Sequence, residues 1–320
     1  MGARPGLVKG NAMKTKKRTV PDLFPDCDCQ PDRESLKNAM FRLLVLLTAG
    51  ITILALIGII FSIFREGLPF FKAYPLSRML FGRAWYPTHS DADFGAFSLI
   101  ISTILVSLGA LVIAIPMGLG SAVFISELAG SRLREVAKPV IELLAAIPSV
   151  VYGLFGMAYL APLVRELFGL DTGLNLFSSS LILGLMVVPI IASISEDALS
   201  GVPKSIREAS LSLGATKWES ISRVVIPAAG RGIIGSVLLG FGRAIGETMV
   251  VLMVAGGATH LPSSIFSSIR PLTSTIAAEM GETVIGDLHY RSLFALAIIL
   301  FCMTFTVNII ASQLANRRSG

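Results

Sequence analysis

The sequence predicts an all-α membrane protein with six membrane-spanning helices. Three observations carry that expectation. The 320-residue chain is 53% hydrophobic and only 15% charged, with a mean hydropathy of +0.74, whereas soluble domains carry about 25% charged residues. Apolar runs of about 20 residues recur, each long enough to cross a bilayer core. Of the 27 Lys and Arg residues, 18 fall on one side of these runs and seven on the other. The net charge of +6 therefore follows membrane topology, and no nucleic-acid partner is expected.

Residues 1–36 are polar and basic, with Lys14, Lys16, Lys17, Arg18 and prolines at 5, 21, 25 and 31. Such a segment cannot bury a core and is expected to be a disordered tail, one that could meet anionic lipid. A signal peptide would place its apolar core nearer the start, so no cleavage is expected. The three cysteines make no disulfide framework. Cys27 and Cys29 could share a metal, but no other Cys or His lies near them, so neither metal nor cofactor is expected on this chain.

Residues 37–95 hold the first span, read over Phe41–Phe64, and a loop whose Tyr74, Trp85 and Tyr86 suit a membrane interface. A core of residues 96–313 follows. Its first span is read over Ala96–Ile125, with Pro116 near one end. A short charged turn (Glu127, Arg132, Arg134, Glu135, Lys138) leads to the third span, Pro139–Val164, which Pro148 interrupts. Glu142 falls near its start and would snorkel or pair with Lys138. The fourth span is read over Ser178–Ile194, with Pro189 inside it. The fifth covers Ala228–Gly256, a polar segment runs from Gly257 to Tyr290, and the sixth covers Arg291–Ala311. Residues 314–320 form a second tail. His89, His260 and His289 fall in loops and are expected to be solvated. Prolines and many glycines within the central spans favour a mobile bundle around a path.

Six crossings put both termini on one side, and the positive-inside rule places that side in the cytoplasm. The same count places the segment between the fourth and fifth spans there, within residues 203–227. Its Ser205–Pro227 stretch is polar without being loop-like. Ser205 and Glu208 have the spacing of a capping box, as do Thr216 and Glu219. Gly214 lies between them, where a helix end needs a left-handed residue, and Pro227 is expected to end the second helix. Ala209, Ser210, Ser212 and Ala215 allow close approach, and Trp218 and Ile221 supply apolar anchors. The stretch reads as a capped helical hairpin built to dock on another protein.

The sharpest intramembrane feature is Arg243 with Glu247, four residues apart and so on one helical face. Counted from Ala228, Arg243 lies about 22 Å along the fifth span, within the hydrocarbon. Charges at such depth face a polar cavity and mark a pathway, or else neutralise each other and lock helices together. The pathway reading makes the guanidinium a stepping stone for an oxyanion, for which its planar fork offers paired donors.

Glu208-Ala209-Ser210, then Gly214 after three residues and Val224-Val225-Ile226-Pro227 after nine more, resemble the E-A-A-x3-G-x9-I-x-L-P loop of ATP-binding-cassette importer permeases. Ser210, Val224 and Ile226 depart from that pattern with residues of similar volume. Glu142 to Gly153 (ELLAAIPSVVYG), Ser195 to Leu199 (SEDAL), Gly242 to Met249 (GRAIGETM) and Ala277 to Glu282 (AAEMGE) resemble the C-type permease subunit of the bacterial high-affinity phosphate importer. The resemblance covers about Phe97–Ala311. It implies a type I importer permease fold in the bacterial inner membrane. It also implies pairing with a second, similar permease and docking of an extracytoplasmic phosphate-binding protein on the outer loops. The hairpin would seat on a cytoplasmic ATPase homodimer, with Ser205, Glu208, Ala209, Gly214, Ala215, Thr216, Trp218 and Pro227 forming the coupling surface. Arg243 and Glu247 would line the phosphate path, and the same stretches add Thr248 and Ser149 to it. ATP and Mg belong to the ATPase, because this chain has no G-x-x-x-x-G-K-[ST] loop. The chain then transports by alternating access and is not itself an enzyme. Permeases for sulfate or molybdate, a secondary transporter with inverted repeats, and a membrane scaffold stay as alternatives.

Overall fold

A computed structural model describes Gly2, residues 33–89 and residues 91–317. The basic tail with Cys27 and Cys29 lies outside the described residues, apart from Gly2 and the start of the first helix. The chain divides into two units, up to Gly58 and from Ile59 onward. Helix α1 (Arg33–Gly67) provides the described part of the first unit. Met40, Phe41, Leu44, Leu47, Ile51 and Leu54 are exposed around its circumference, a surface suited to lipid. Two of its hydroxyls bond within the helix, Thr48 to the carbonyl of Val45 and Thr52 to that of Thr48, so neither leaves an unsatisfied donor toward lipid.

The second unit opens with α2 (Phe70–Ala73), α3 (Leu76–Phe81) and an antiparallel pair, β1 (Trp85–Tyr86) with β2 (Asp93–Phe94). The interface loop read from the sequence is instead a folded cap. Phe70, Tyr74, Trp85 and Phe94 are buried together, in contact with Leu293, Leu296 and Ile299 of the last helix, while Tyr86 stays exposed. Edge-on ring pairs 5.3 to 5.9 Å apart hold the cluster.

Helix α4 (Phe97–Val123) runs into a π-helical turn, Phe124–Leu128. Next comes α5 (Ser131–Ala145), where the sequence suggested a turn and the start of the third span. It is amphipathic and buries no residue, so the third span begins only at Ser149. There α6 (Ser149–Phe155), a π turn (Gly156–Leu160) and α7 (Ala161–Phe168) form one stretch of 20 residues. Pro148 is the cause: lacking an N–H, it ends one helix and sits at the N-cap of the next. Glu142 is therefore exposed and outside the span, and Lys138 finds other partners.

Helix α8 (Leu176–Ser200) is longer than its apolar core. Asn175 caps its start by accepting from the Ser178 N–H at 2.9 Å, and Glu196 and Asp197 extend its end. Helices α9 (Lys204–Ser212), α10 (Lys217–Ser220) and α11 (Ile226–Ala228) make the hairpin, with a π turn at Ile221–Val225. Pro227 lies inside the last of these. The chain bends by 68° between Lys217–Ala228 and Gly230–Ile245, so the break comes two residues after the expected proline stop. Helix α12 (Gly230–Ile245) is followed by α13 (Met249–Val254), α14 (Leu272–Glu279) and α15 (Leu288–Arg317).

Among the described residues five helical stretches are long and apolar enough to cross a membrane, and the bent pair supplies a sixth. The core lies between α4, α8 and α13, around Val106, Ala110, Ile182, Val187, Ile191 and Val251. Small residues set its spacing. A Cβ at Gly184 would stand 3.0 Å from the carbonyl of Ala110, and one at Gly118 would stand 2.8 Å from Ile191. That is the close backbone approach on which helix association in lipid depends.

Candidate functional site

Two places carry the residues singled out above. The hairpin is the first. Its opening capping box does not form: Pro203 is the N-cap of α9 and no side chain caps it. Proline's fixed φ starts the helix two residues early, so Ser205 is already helical and exposed. The second box does form. The Thr216 N–H donates to Glu219 Oε2 at 2.9 Å, the Thr216 hydroxyl donates at 2.8 Å, and the Glu219 N–H returns to Thr216 Oγ1. The backbone N–H, and then the hydroxyl, hold the Glu219 carboxyl below its ordinary range. Gly214 has φ of 87° and makes the turn that L side chains resist.

Ser210, where the family pattern has Ala, is buried and lies 2.5 Å from the Ser220 hydroxyl, so the departure ties the two arms together. Ile221 and Val225 anchor the hairpin among Ala122, Leu199 and Val202. Glu208, Ala209, Trp218 and Leu213 face outward, Leu213 being 89% exposed. Leu211, Leu213 and Trp218 thus leave apolar surface uncovered on an otherwise polar hairpin.

The second place is the end of α12. Arg243 Nη1 lies 2.9 Å from Glu247 Oε2, with side chains 44% and 2% exposed. The pair is present, but not on one helical face as spacing implied. Helix α12 stops at Ile245, and Gly246–Thr248 break the span. Gly246 is a poor helix former, and the Glu247 side chain competes for the backbone. Its Oε1 accepts from the N–H groups of Met249 and Val250 at 3.1 and 3.4 Å, capping α13. Its carbonyl accepts from Thr273 Oγ1 at 2.7 Å. The buried carboxylate is thus held by two backbone N–H groups, its residue's backbone is pinned by Thr273, and it pairs with a guanidinium that is half open. A cation in the last turn of a helix also suits the helix dipole.

Thr248 is half-buried beside the pair. Ser149 starts α6, a helix that approaches α13 so closely that a Cβ at Gly153 would stand 2.7 Å from Met253 Sδ. No hydrogen bond or ion pair joins Ser149 to Arg243 or Glu247 among the described residues.

Three features escaped sequence reasoning. Thr273 lies 26 residues beyond Glu247, and no local pattern announces such a contact. Glu279 is held by Trp85 Nε1 at 3.1 Å, Arg270 at 2.9 Å and His289 Nε2 at 2.8 Å, so His289 is not solvated. Arg134 and Lys138 reach Glu196 at 2.6 and 2.9 Å, and Lys138 also reaches Asp197 at 2.5 Å. Asp197 and then Glu196 push the Lys138 ammonium above its ordinary value. The signal for this last cluster was legible: two bases one helical turn apart, and two carboxylates at the end of an apolar run.

Up to six candidate spans, a capped hairpin between the fourth and fifth and a broken, charge-bearing fifth span are the features of a membrane permease of the ATP-binding-cassette importer type. The chain belongs to the family described as binding-protein-dependent transport system inner membrane component, whose model matches residues 114–320. It is 37% identical to the probable ABC transporter permease protein YqgH of Bacillus subtilis, over 87% of this chain and 90% of that protein. It is 35% identical to the phosphate transport system permease protein PstC of Mesorhizobium japonicum, over 95% and 98%. The fold is that of the permease in a bacterial alginate ABC transporter solved with its alginate-bound periplasmic protein. There the TM-score is 0.62 over 88% of this chain and 97% of that one, at 16% identity. The architecture is the type I importer permease fold.

Proposed function

We propose that this permease carries inorganic phosphate into the cytoplasm, and that Arg243 is its contact in the pathway. The observation that carries the reading is the asymmetry of the pair: Glu247 is buried and fixed, while nearly half of the Arg243 side chain is open. A guanidinium neutralised only for locking would be covered on both sides. A half-open fork can take an oxyanion and release it, as a path requires. The phosphate assignment is supported by the stretches resembling the C-type subunit and by the name of the Mesorhizobium relative.

In this reading both termini and the hairpin are cytoplasmic. A second, similar permease completes the pathway, an ATPase homodimer carrying ATP and Mg seats the hairpin, and an extracytoplasmic phosphate-binding protein delivers the anion. Closure of the ATPase dimer pushes the hairpin, the spans rock outward, and reset releases phosphate inward. The ligand biases two packings through its different affinity for each. Hydrolysis belongs to the partner, and Ser149 and Thr248 flank the path. The test is ATP-dependent uptake of labelled phosphate by the complex in proteoliposomes, with sulfate and molybdate as competitors. Uptake that phosphate alone competes away supports the assignment, and equal competition by sulfate makes the chain a general oxyanion permease.

A further inference from the structure

The hairpin does not rest on the bundle through apolar packing alone. Arg207, in α9, is about four-fifths buried and lies 2.8 Å from Glu127 Oε1, in the π turn that ends α4. The same guanidinium donates to the carbonyl of Leu199 at 2.7 Å, in the last turn of α8, and to that of Val202, two residues beyond it. Those carbonyls lie where a helix runs out of intrahelical donors. One planar fork therefore serves the hairpin, the second span and the fourth span.

The contacts continue. Glu127 lies 3.2 Å from the Ser126 hydroxyl, which is 3.4 Å from that of Ser200. Ser200 donates to Glu196 at 2.6 Å. Glu196, almost fully buried, receives Arg134 and Lys138 from α5, and Arg134 also donates to Ser200. Helix α5 fully buries no residue of its own, these two cations tie it to α8 beside the partly buried Ile141, and α5 leads directly into the third span. A contiguous polar chain thus joins α9 to α4, α8 and α5.

Such a chain differs from grease in one respect. Apolar contacts tolerate sliding, whereas a three-way guanidinium geometry does not, because any displacement strands a buried carboxylate or carbonyl. We infer that Arg207 is the positioning residue through which hairpin displacement is delivered to the spans, with Glu127 and Glu196 as its two relay points. The inference rests on the importer reading above but concerns how force enters the bundle, not what passes through it.

The experiment uses the whole complex in proteoliposomes and reads ATP hydrolysed per phosphate delivered. A wild-type complex without ATP-dependent uptake would defeat the importer reading itself, before any variant is made. In Arg207→Gln the ratio is expected to rise about tenfold, within the range by which coupling elements act, while the complex still assembles and hydrolyses ATP. Arg207→Lys keeps the charge but not the fork and is expected to raise the ratio as well. The double variant Arg207→Gln/Glu127→Gln leaves no unpaired buried carboxylate, and it too is expected to stay uncoupled. The inference is overturned if the ratio is unchanged in Arg207→Lys, or if the double variant regains the wild-type ratio. The second result would make Arg207 merely the counter-ion of Glu127. Where Arg207→Gln fails to assemble, the Lys and double variants decide by the same readout.

Discussion

Arg243→Ala tests the pathway role, but the structure shows that this variant alone is ambiguous. Removing the guanidinium leaves the Glu247 carboxylate, 2% exposed, with the Met249 and Val250 N–H groups as its only donors among the described residues. Breaking a fully buried pair from one side costs about 3–5 kcal/mol; with Arg243 half open, water reaches the gap it leaves and lowers that cost to about 1–3 kcal/mol. Lost uptake could then report a damaged α12–α13 junction. Adding Glu247→Gln removes the stranded charge, and the amide oxygen of Gln keeps the two capping bonds. The double variant is expected to recover most of that stability, to within about 1 kcal/mol for the weaker neutral bonds. Thermal unfolding of the purified complex measures the recovery, and proteoliposome uptake measures function. The pathway account expects Arg243→Ala/Glu247→Gln to be stable and transport-dead. A double variant that is stable and transports at the wild-type rate would refute it, leaving the pair as a helix lock.

Three further outcomes are expected. Gly214→Val places a β-branched residue at φ of 87°, where an added Cβ meets nothing, so its cost of about 1–2 kcal/mol is purely backbone strain; co-purified ATPase should fall, with Gly214→Asn milder. The Glu219 carboxyl is held below its ordinary range, so the stability it lends the hairpin is present above its unfolded pKa and is lost as pH falls through the folded pKa. Exchange at the Thr216 amide, corrected for its intrinsic rate, should accelerate on acidification in the wild type and not in Glu219→Gln. Glu279→Ala strands Arg270, which is about four-fifths buried, and removes the acceptor of Trp85; the cap should lose about 3–5 kcal/mol, read from Trp85 fluorescence during denaturation in a Trp218→Phe background.

Elements set by local chemistry were legible. The spans follow from apolar run length, the hairpin turn from Gly214, and its second arm from Thr216 and Glu219, all of which act within a few residues. The misreadings have a common origin in backbone competition. Pro203 and Pro148 start helices, so Ser205 lost its capping role and Glu142 lost its place in a span. Pro227 does not stop the chain where its missing N–H suggests, because a proline in the first turn of a helix gives up no hydrogen bond. The Arg243–Glu247 pair was visible from spacing, but the break between them was not. A glutamate that caps the next helix looks the same in sequence as one on a continuous face. Thr273, His289 and Arg207 act across long sequence separations, and their roles are defined only by packing.

Whether Arg243 lines an aqueous path that opens to alternate sides is decided by the accessibility of position 243. A single cysteine is placed there by Arg243→Cys with Glu247→Gln, after the native cysteines (Cys27, Cys29 and Cys302) are changed to Ser. A membrane-impermeant thiol reagent is then applied from either side of proteoliposomes holding the complex, with and without trapped nucleotide. The account predicts labelling from the cytoplasmic side without nucleotide and from the opposite side with nucleotide trapped. A cysteine that stays unlabelled from both sides in both states would mean that this position faces lipid or closed protein, and would contradict the account.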